Sequence, residues 1–150
     1  MSSLDTTGSI LGMVFGTAGF TISVLNYLRD SPRVKVTLQW NMTDSVTGKV
    51  FGLVRVTNTG RRAIFICIAA LEVPGDKNYV LNDSIEGTKL GEGDKPAGYI
   101  VNHDGMAQYS DKWREIRAFV VDSAGKRYNS LYPQKNAKPP RWVVPKVQAQ

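Results

Sequence analysis

Cysteine and histidine are almost absent from this chain, which has one of each, Cys67 and His103. A single cysteine excludes an intrachain disulfide and agrees with a reducing compartment. In mid-strand it reads as a small buried hydrophobe. One histidine and one cysteine so far apart cannot make the usual zinc spacings. A nucleophilic triad needs a base within hydrogen-bond reach and an acid to orient it. His103 has Asp104 beside it, but both sit in a turn ending at Gly105, and an exposed turn residue is the plainer reading. Gly91-Glu92-Gly93 lacks the strand-to-helix setting and the lysine of a phosphate loop. Asp83, Glu86, Glu92 and Asp94 do not follow the carboxylate spacing of an EF-hand. The sequence thus predicts no enzyme: no catalytic residue, no metal, no cofactor and no small-molecule substrate.

Charge is missing in two places. No charged residue lies between Gly8 and Leu28, and no acidic residue follows Lys126. About twenty uncharged residues is the length a helix needs to cross a bilayer. Ile10, Leu11, Val14, Phe15, Phe20, Ile22, Val24, Leu25 and Leu28 carry the apolarity, diluted by Thr17, Thr21, Ser23 and Asn26. The alternatives are a buried helix of a soluble fold and a cleaved signal peptide. The second is disfavoured, because Met1 to Asp5 holds no positive charge and the run ends in Asn26-Tyr27-Leu28. Arg29, Arg33 and Lys35 follow the run closely, so the positive-inside rule puts the C-terminal bulk in the cytoplasm and the N-terminus outside. The sequons Asn41-Met42-Thr43 and Asn82-Asp83-Ser84 matter only for a lumenal domain.

The small residues of this segment are arranged. At about 100° per residue, Gly8, Gly12, Gly16, Gly19, Ser23 and Asn26 fall within an arc of roughly 80°. Such a stripe lets two helix backbones approach, so it is a candidate helix–helix interface and a route to a homo-oligomer.

Beyond the run the pattern changes to period two. Val34, Val36, Leu38 and Trp40 alternate with polar residues, as in a half-buried strand. Val50 to Val56 is a second strand, closed by Asn58-Thr59-Gly60-Arg61. Ala63 to Val73 is a third, with Ile64, Ile66 and Ile68 on one face and Phe65, Cys67, Ala69 and Leu71 on the other. The stretch from Asn82 to Pro96 reads as loop. Ala97 to Val101 is a short strand, and Met106 to Lys112 is ambiguous between helix and strand. Glu115 to Val121 and Lys126 to Leu131 form a closing hairpin around Asp122-Ser123-Ala124-Gly125. About seven short strands over about a hundred residues predict a mainly β, immunoglobulin-like sandwich. The expected organisation is an N-terminal segment (1–32) with a transmembrane helix over about 8–28, a sandwich (33–131), and a basic proline-rich tail (132–150).

Val54-Arg55-Val56-Thr57-Asn58-Thr59-Gly60-Arg61-Arg62-Ala63 resembles the V-x-V-x-N-x-G turn of bacterial immunoglobulin-like domains. Arg117 to Tyr128 resembles the closing hairpin of the same domains. The order of span, basic segment and small sandwich is similar to uncharacterised bacterial and phage membrane proteins. The resemblance implies a fold and carries no catalytic residues. The tryptophan and paired cysteines of antibody domains are missing.

The tail holds Lys135, Lys138, Arg141 and Lys146, and Trp142-Val143-Val144 forms an apolar knot in it. Four readings fit: contact with an anionic leaflet, contact with nucleic acid, packing on the sandwich through Trp142, or a solubilising tail. Nucleic acid is the least favoured. Together these features predict a non-enzymatic, membrane-anchored interaction module that presents a sandwich to a protein partner. The alternative is a viral or other assembly protein whose N-terminal helix packs against protein.

Overall fold

The computed structural model describes residues 3–143 apart from residue 76; the side chains of residues 3–7, 10 and 11 fall outside the description. One helix, α1 (Ser3–Arg29), precedes seven strands: β1 (Val34–Thr43), β2 (Val50–Asn58), β3 (Ile64–Val73), β4 (Lys77–Leu90), β5 (Ala97–Val101), β6 (Arg117–Asp122) and β7 (Arg127–Asn129). A short 3-10 helix, Ala107–Glu115, links β5 to β6. The strands form two antiparallel sheets, in the orders β1-β2-β5 and β4-β3-β6-β7.

Alternation builds the core. In β2, Val54 and Val56 point inward while Arg55 is exposed. Val36 joins them from β1, and Ile64, Ile66, Leu71 and Val120 face them from the other sheet. Met106, Trp113 and Ile116, from the 3-10 helix and its flanks, complete the same cluster.

In β3 the inward face changes partway. Ile64 and Ile66 are in the core, and then Ala69, Leu71 and Val73. A register shift against β6 lies between Ile66 and Ile68. One extra residue in a strand reverses every side chain beyond it. Ile68 therefore does not share a face with Ile64 and Ile66, and Cys67 is half-exposed.

Most of the expected loop between Asn82 and Pro96 is strand. β4 runs to Leu90 along the open edge of β3, and only Leu90 of its residues is buried. An edge strand held by its backbone needs no apolar face, so it leaves little hydrophobic pattern.

The N-terminal segment is helical, as expected, but longer than the run that marked it. Among the described residues no helix is long and apolar enough to cross a membrane. The expected helix over 8–28 is present, and its transmembrane character stays an expectation. Gly12, Gly16, Thr17, Gly19, Thr21, Ser23 and Asn26 dilute the apolar residues. Every described side chain of α1 is exposed, Phe15 by 73% and Phe20 by 72%. At Ser31 the hydroxyl donates to the Leu28 carbonyl at 2.9 Å, and Pro32 then prevents further helix.

Candidate functional site

Three features carry functional potential: the uncovered helix, a groove between the edges of the two sheets, and an aromatic wall at its end. On α1, a Cβ built at Gly8, Gly12, Gly16 or Gly19 meets nothing within 4 Å. The stripe faces open space. Around the remaining circumference stand Met13, Val14, Phe15, Phe20, Ile22, Leu25 and Leu28, all exposed. The polar threonines are internally satisfied. Thr17 donates to the Met13 carbonyl and Thr21 to the Thr17 carbonyl, each at 2.8 Å. A hydroxyl bonded back in this way tolerates an apolar environment.

The groove has a volume of about 580 Å³ and runs along β1, the edge of its sheet, beside β7 and the segment that follows it. Leu38, Trp40 and Trp113 form its apolar side, and Leu131, Tyr132, Ala137 and Lys138 its rim. Leu131 is 92% exposed. The Arg117 guanidinium stacks over the Tyr132 ring, 5.0 Å from its centre.

The tail closes one end of this groove. Trp142 is only 8% exposed and meets Trp40 edge-on, with ring centres 5.3 Å apart. Pro140 is fully buried. The Arg141 backbone N–H donates to Asn41 Oδ1 at 2.7 Å. Asn41 has φ of +61°, a left-handed conformation that asparagine tolerates better than most residues. It lies within the register shift of β1 between Gln39 and Met42. Arg114 donates to the Lys135 carbonyl at 3.1 Å. The Lys135, Lys138 and Arg141 side chains are exposed. Lys146 lies outside the described residues. Trp142 is thus a packing residue of the sandwich, and the tail's described cations surround its docking place.

Trp40 depends on Gly52 across the β1–β2 pair. A Cβ at Gly52 would sit 2.7 Å from the indole ring, so only glycine fits beneath it. On its other side Trp40 meets His103, with ring centres 6.0 Å apart. The expected exposed turn histidine is therefore half-buried. Burial holds its imidazole below the usual histidine range, against a smaller opposing pull from Asp104. Among the described residues, Trp40 Nε1, Trp142 Nε1 and His103 Nε2 are buried without a hydrogen-bond partner. Below this wall, a cleft of about 970 Å³ runs past Asp44, Thr47, Lys49 and His103. Asp44 accepts from the Thr47 hydroxyl and the Val46 N–H, and these bonds lower its carboxyl below the usual range.

The four acidic residues of the Gly-rich stretch separate. Asp83 and Glu86 lie on β4, and Glu92 and Asp94 in the loop after it. Asp94 accepts the Gly91 N–H at 2.6 Å. Among the described residues no three metal-ligating side chains come together. No family model and no curated protein matches the sequence.

Proposed function

We propose that the chain is a non-catalytic interaction module, anchored to a membrane by α1 and presenting the sandwich to a protein partner in the cytoplasm. The observation that carries this reading is the uncovered helix. The sandwich buries its own core without α1, while α1 exposes apolar side chains on every face outside the glycine stripe. An exposed apolar surface of that extent marks a contact with lipid or protein, and a helix apolar nearly all round is normally buried in one of them. The satisfied threonines suit either. The groove beside β1 offers the partner an apolar floor next to an open strand edge.

The strand order supports an immunoglobulin-like reading of the sandwich. Strands 1, 2 and 5 share one sheet and strands 3, 6 and 7 the other, as A, B, E and C, F, G do in those domains. β4 lies beside β3 where variable-type domains add a strand. This is also the ground for likeness to bacterial and phage membrane proteins of that architecture.

The second reading, an assembly protein whose helix packs against protein, is favoured by the dilution of the apolar run. Alkaline carbonate extraction of the expressed full chain separates the two. A membrane-anchored chain stays in the pellet, and a chain packed in a protein shell is released. A reporter fused after Gln150 is expected to be active on the cytoplasmic side; activity outside would reject that orientation.

A further inference from the structure

The helix-proximal end of the sandwich gathers arginines that are far apart in sequence. Arg29 and Arg33 flank the end of α1. The turn between β2 and β3 brings Arg61 and Arg62 beside them. Two contacts make that juxtaposition. Thr59 donates its backbone N–H to the Arg33 carbonyl at 2.7 Å, and its hydroxyl donates to the same oxygen at 3.1 Å. Gly60 then presses so closely on the linker that a Cβ there would be 2.5 Å from the Arg33 nitrogen and 2.6 Å from the Ser31 carbonyl oxygen. Tyr27, Asp30, Arg61 and Arg62 line one shallow hollow at this junction. All four arginines are exposed. Arg61 alone among them has an ion pair within the described residues, to Glu92 at 3.9 Å, a separation that contributes little at the surface. Lys95 and Lys126 lie in the neighbouring loops at the same end; Asp30, Glu92, Asp94 and the buried Asp122 are acidic residues there.

We propose that this basic collar, with Arg61 and Arg62 at its centre, docks the sandwich on the anionic headgroups of a membrane surface. The proposal rests on the reading of α1 as a membrane anchor and adds which protein surface meets the lipid. Charge complementarity argues for headgroups. The collar surrounds the base of an exposed apolar helix, so anything that covers the helix end also meets the arginines. Clusters of arginine and lysine just beyond a membrane-embedded helix are attracted to anionic leaflets. The tail is poorly placed for the same role. Its docking residue Asn41 is about 23 Å along β1 from Val34, taking a strand's rise per residue. Screening at physiological salt has a length of about 8 Å. A surface that meets the collar is therefore nearly three screening lengths, at about 8 Å each, from the Asn41 end of β1 where the Arg141 backbone docks.

Flotation of the full chain with limiting amounts of phosphatidylcholine vesicles, and of vesicles also containing phosphatidylserine, tests this. Binding to neutral vesicles reports the anchor. The preference for anionic over neutral vesicles reports the collar. Arg61→Gln with Arg62→Gln is expected to leave neutral binding unchanged and to lower the preference roughly twenty-five-fold, about fivefold per arginine. Arg61→Lys with Arg62→Lys should keep it. Lys135→Gln with Lys138→Gln, which removes the same charge from the tail, should also keep it. An unchanged preference in the Gln pair overturns the collar, as does an equal loss in the tail pair. Tight binding to an oligonucleotide that disappears in the Gln pair, with no vesicle preference in the parent chain, also overturns it. If neutral vesicles are not bound at all, the anchor reading falls, and the collar is then read from binding to the anionic vesicles. A thermal melt of each variant guards against loss of the fold.

Discussion

At the end of β2, the Asn58 amide is buried and uses both of its ends. Its Nδ2 donates to the Arg62 carbonyl at 2.8 Å and to the Leu90 carbonyl at 3.0 Å, while Oδ1 accepts the Gly60 N–H at 2.9 Å. One side chain thus holds the β2–β3 turn against the end of β4. We predict that Asn58→Ala costs about 3 kcal/mol, since each group left unpaired in a buried place is expensive. Asn58→Asp loses both donors and turns a carboxylate toward two carbonyl oxygens. It should be at least as unstable at neutral pH and regain stability as acid protonates it. Urea unfolding of the three proteins checks this; an alanine variant within 1 kcal/mol of the parent would show the bonds to be dispensable. Tyr128 offers a second residue-scale test. Its hydroxyl donates to Asp122 Oδ2 at 2.9 Å. Burial, then the hydrogen bond and charge of Asp122, push the phenol up to about 12. In the unfolded chain it ionises near 10. The folded state keeps the proton longer, so this contribution is complete below about pH 10 and is lost as pH rises toward 12. Tyr128→Phe should flatten that alkaline loss, at a cost of about 1 kcal/mol at neutral pH for the missing hydrogen bond. Identical alkaline slopes in the two proteins would contradict the assignment.

Among the elements, the tail has the most direct test. Trp142 packs on Trp40, and Pro140 is buried beside it. Trp142→Ala is expected to lower stability by about 3 kcal/mol, which is a melting point several degrees lower. Truncation after Leu131 should do the same and expose Trp40. Melting points unchanged in both would mean that the tail is bound too weakly to matter. How far each element was legible follows from the same physics. The strands β1, β2 and β5 announce themselves, because one inward face leaves an alternation such as Val34, Val36, Leu38, and β6 does so as a short apolar run, with Ala118, Phe119 and Val120 all buried. β4 does not, because an edge strand with an exposed face has no reason to alternate. The inward face of β3 was readable only as far as Ile66, since a bulge is a matter of pairing and leaves no mark on composition. Trp142 was visible as an apolar knot, but its partner Trp40 lies about a hundred residues away. The same holds for His103 against Trp40, and for Arg61 and Arg62, which read as turn residues until Gly60 and Thr59 bring them to the helix base.

For the whole molecule, the question is what covers α1. The stripe of Gly8, Gly12, Gly16, Gly19, Ser23 and Asn26 is a proposed contact between two copies. A Cβ built at its glycines meets nothing within 4 Å among the described residues. Gly12→Ile with Gly16→Ile should therefore leave the melting of the sandwich unchanged and weaken self-association in membranes by holding the backbones apart. Leu11→Ile, outside the arc, should have little effect. An equal dimer signal for all three in a membrane association assay would make the glycines incidental.

The seat of Gly60 on Ser31, Pro32 and Arg33 has a geometric consequence. Through this seat, the phase of the helix sets the compass bearing at which the structure displays the groove. Two copies joined through one stripe would then display their grooves at fixed and equal bearings about a twofold axis. One residue inserted between Asn26 and Ser31 would turn each groove by about 100° about the helix, with no residue of the groove altered.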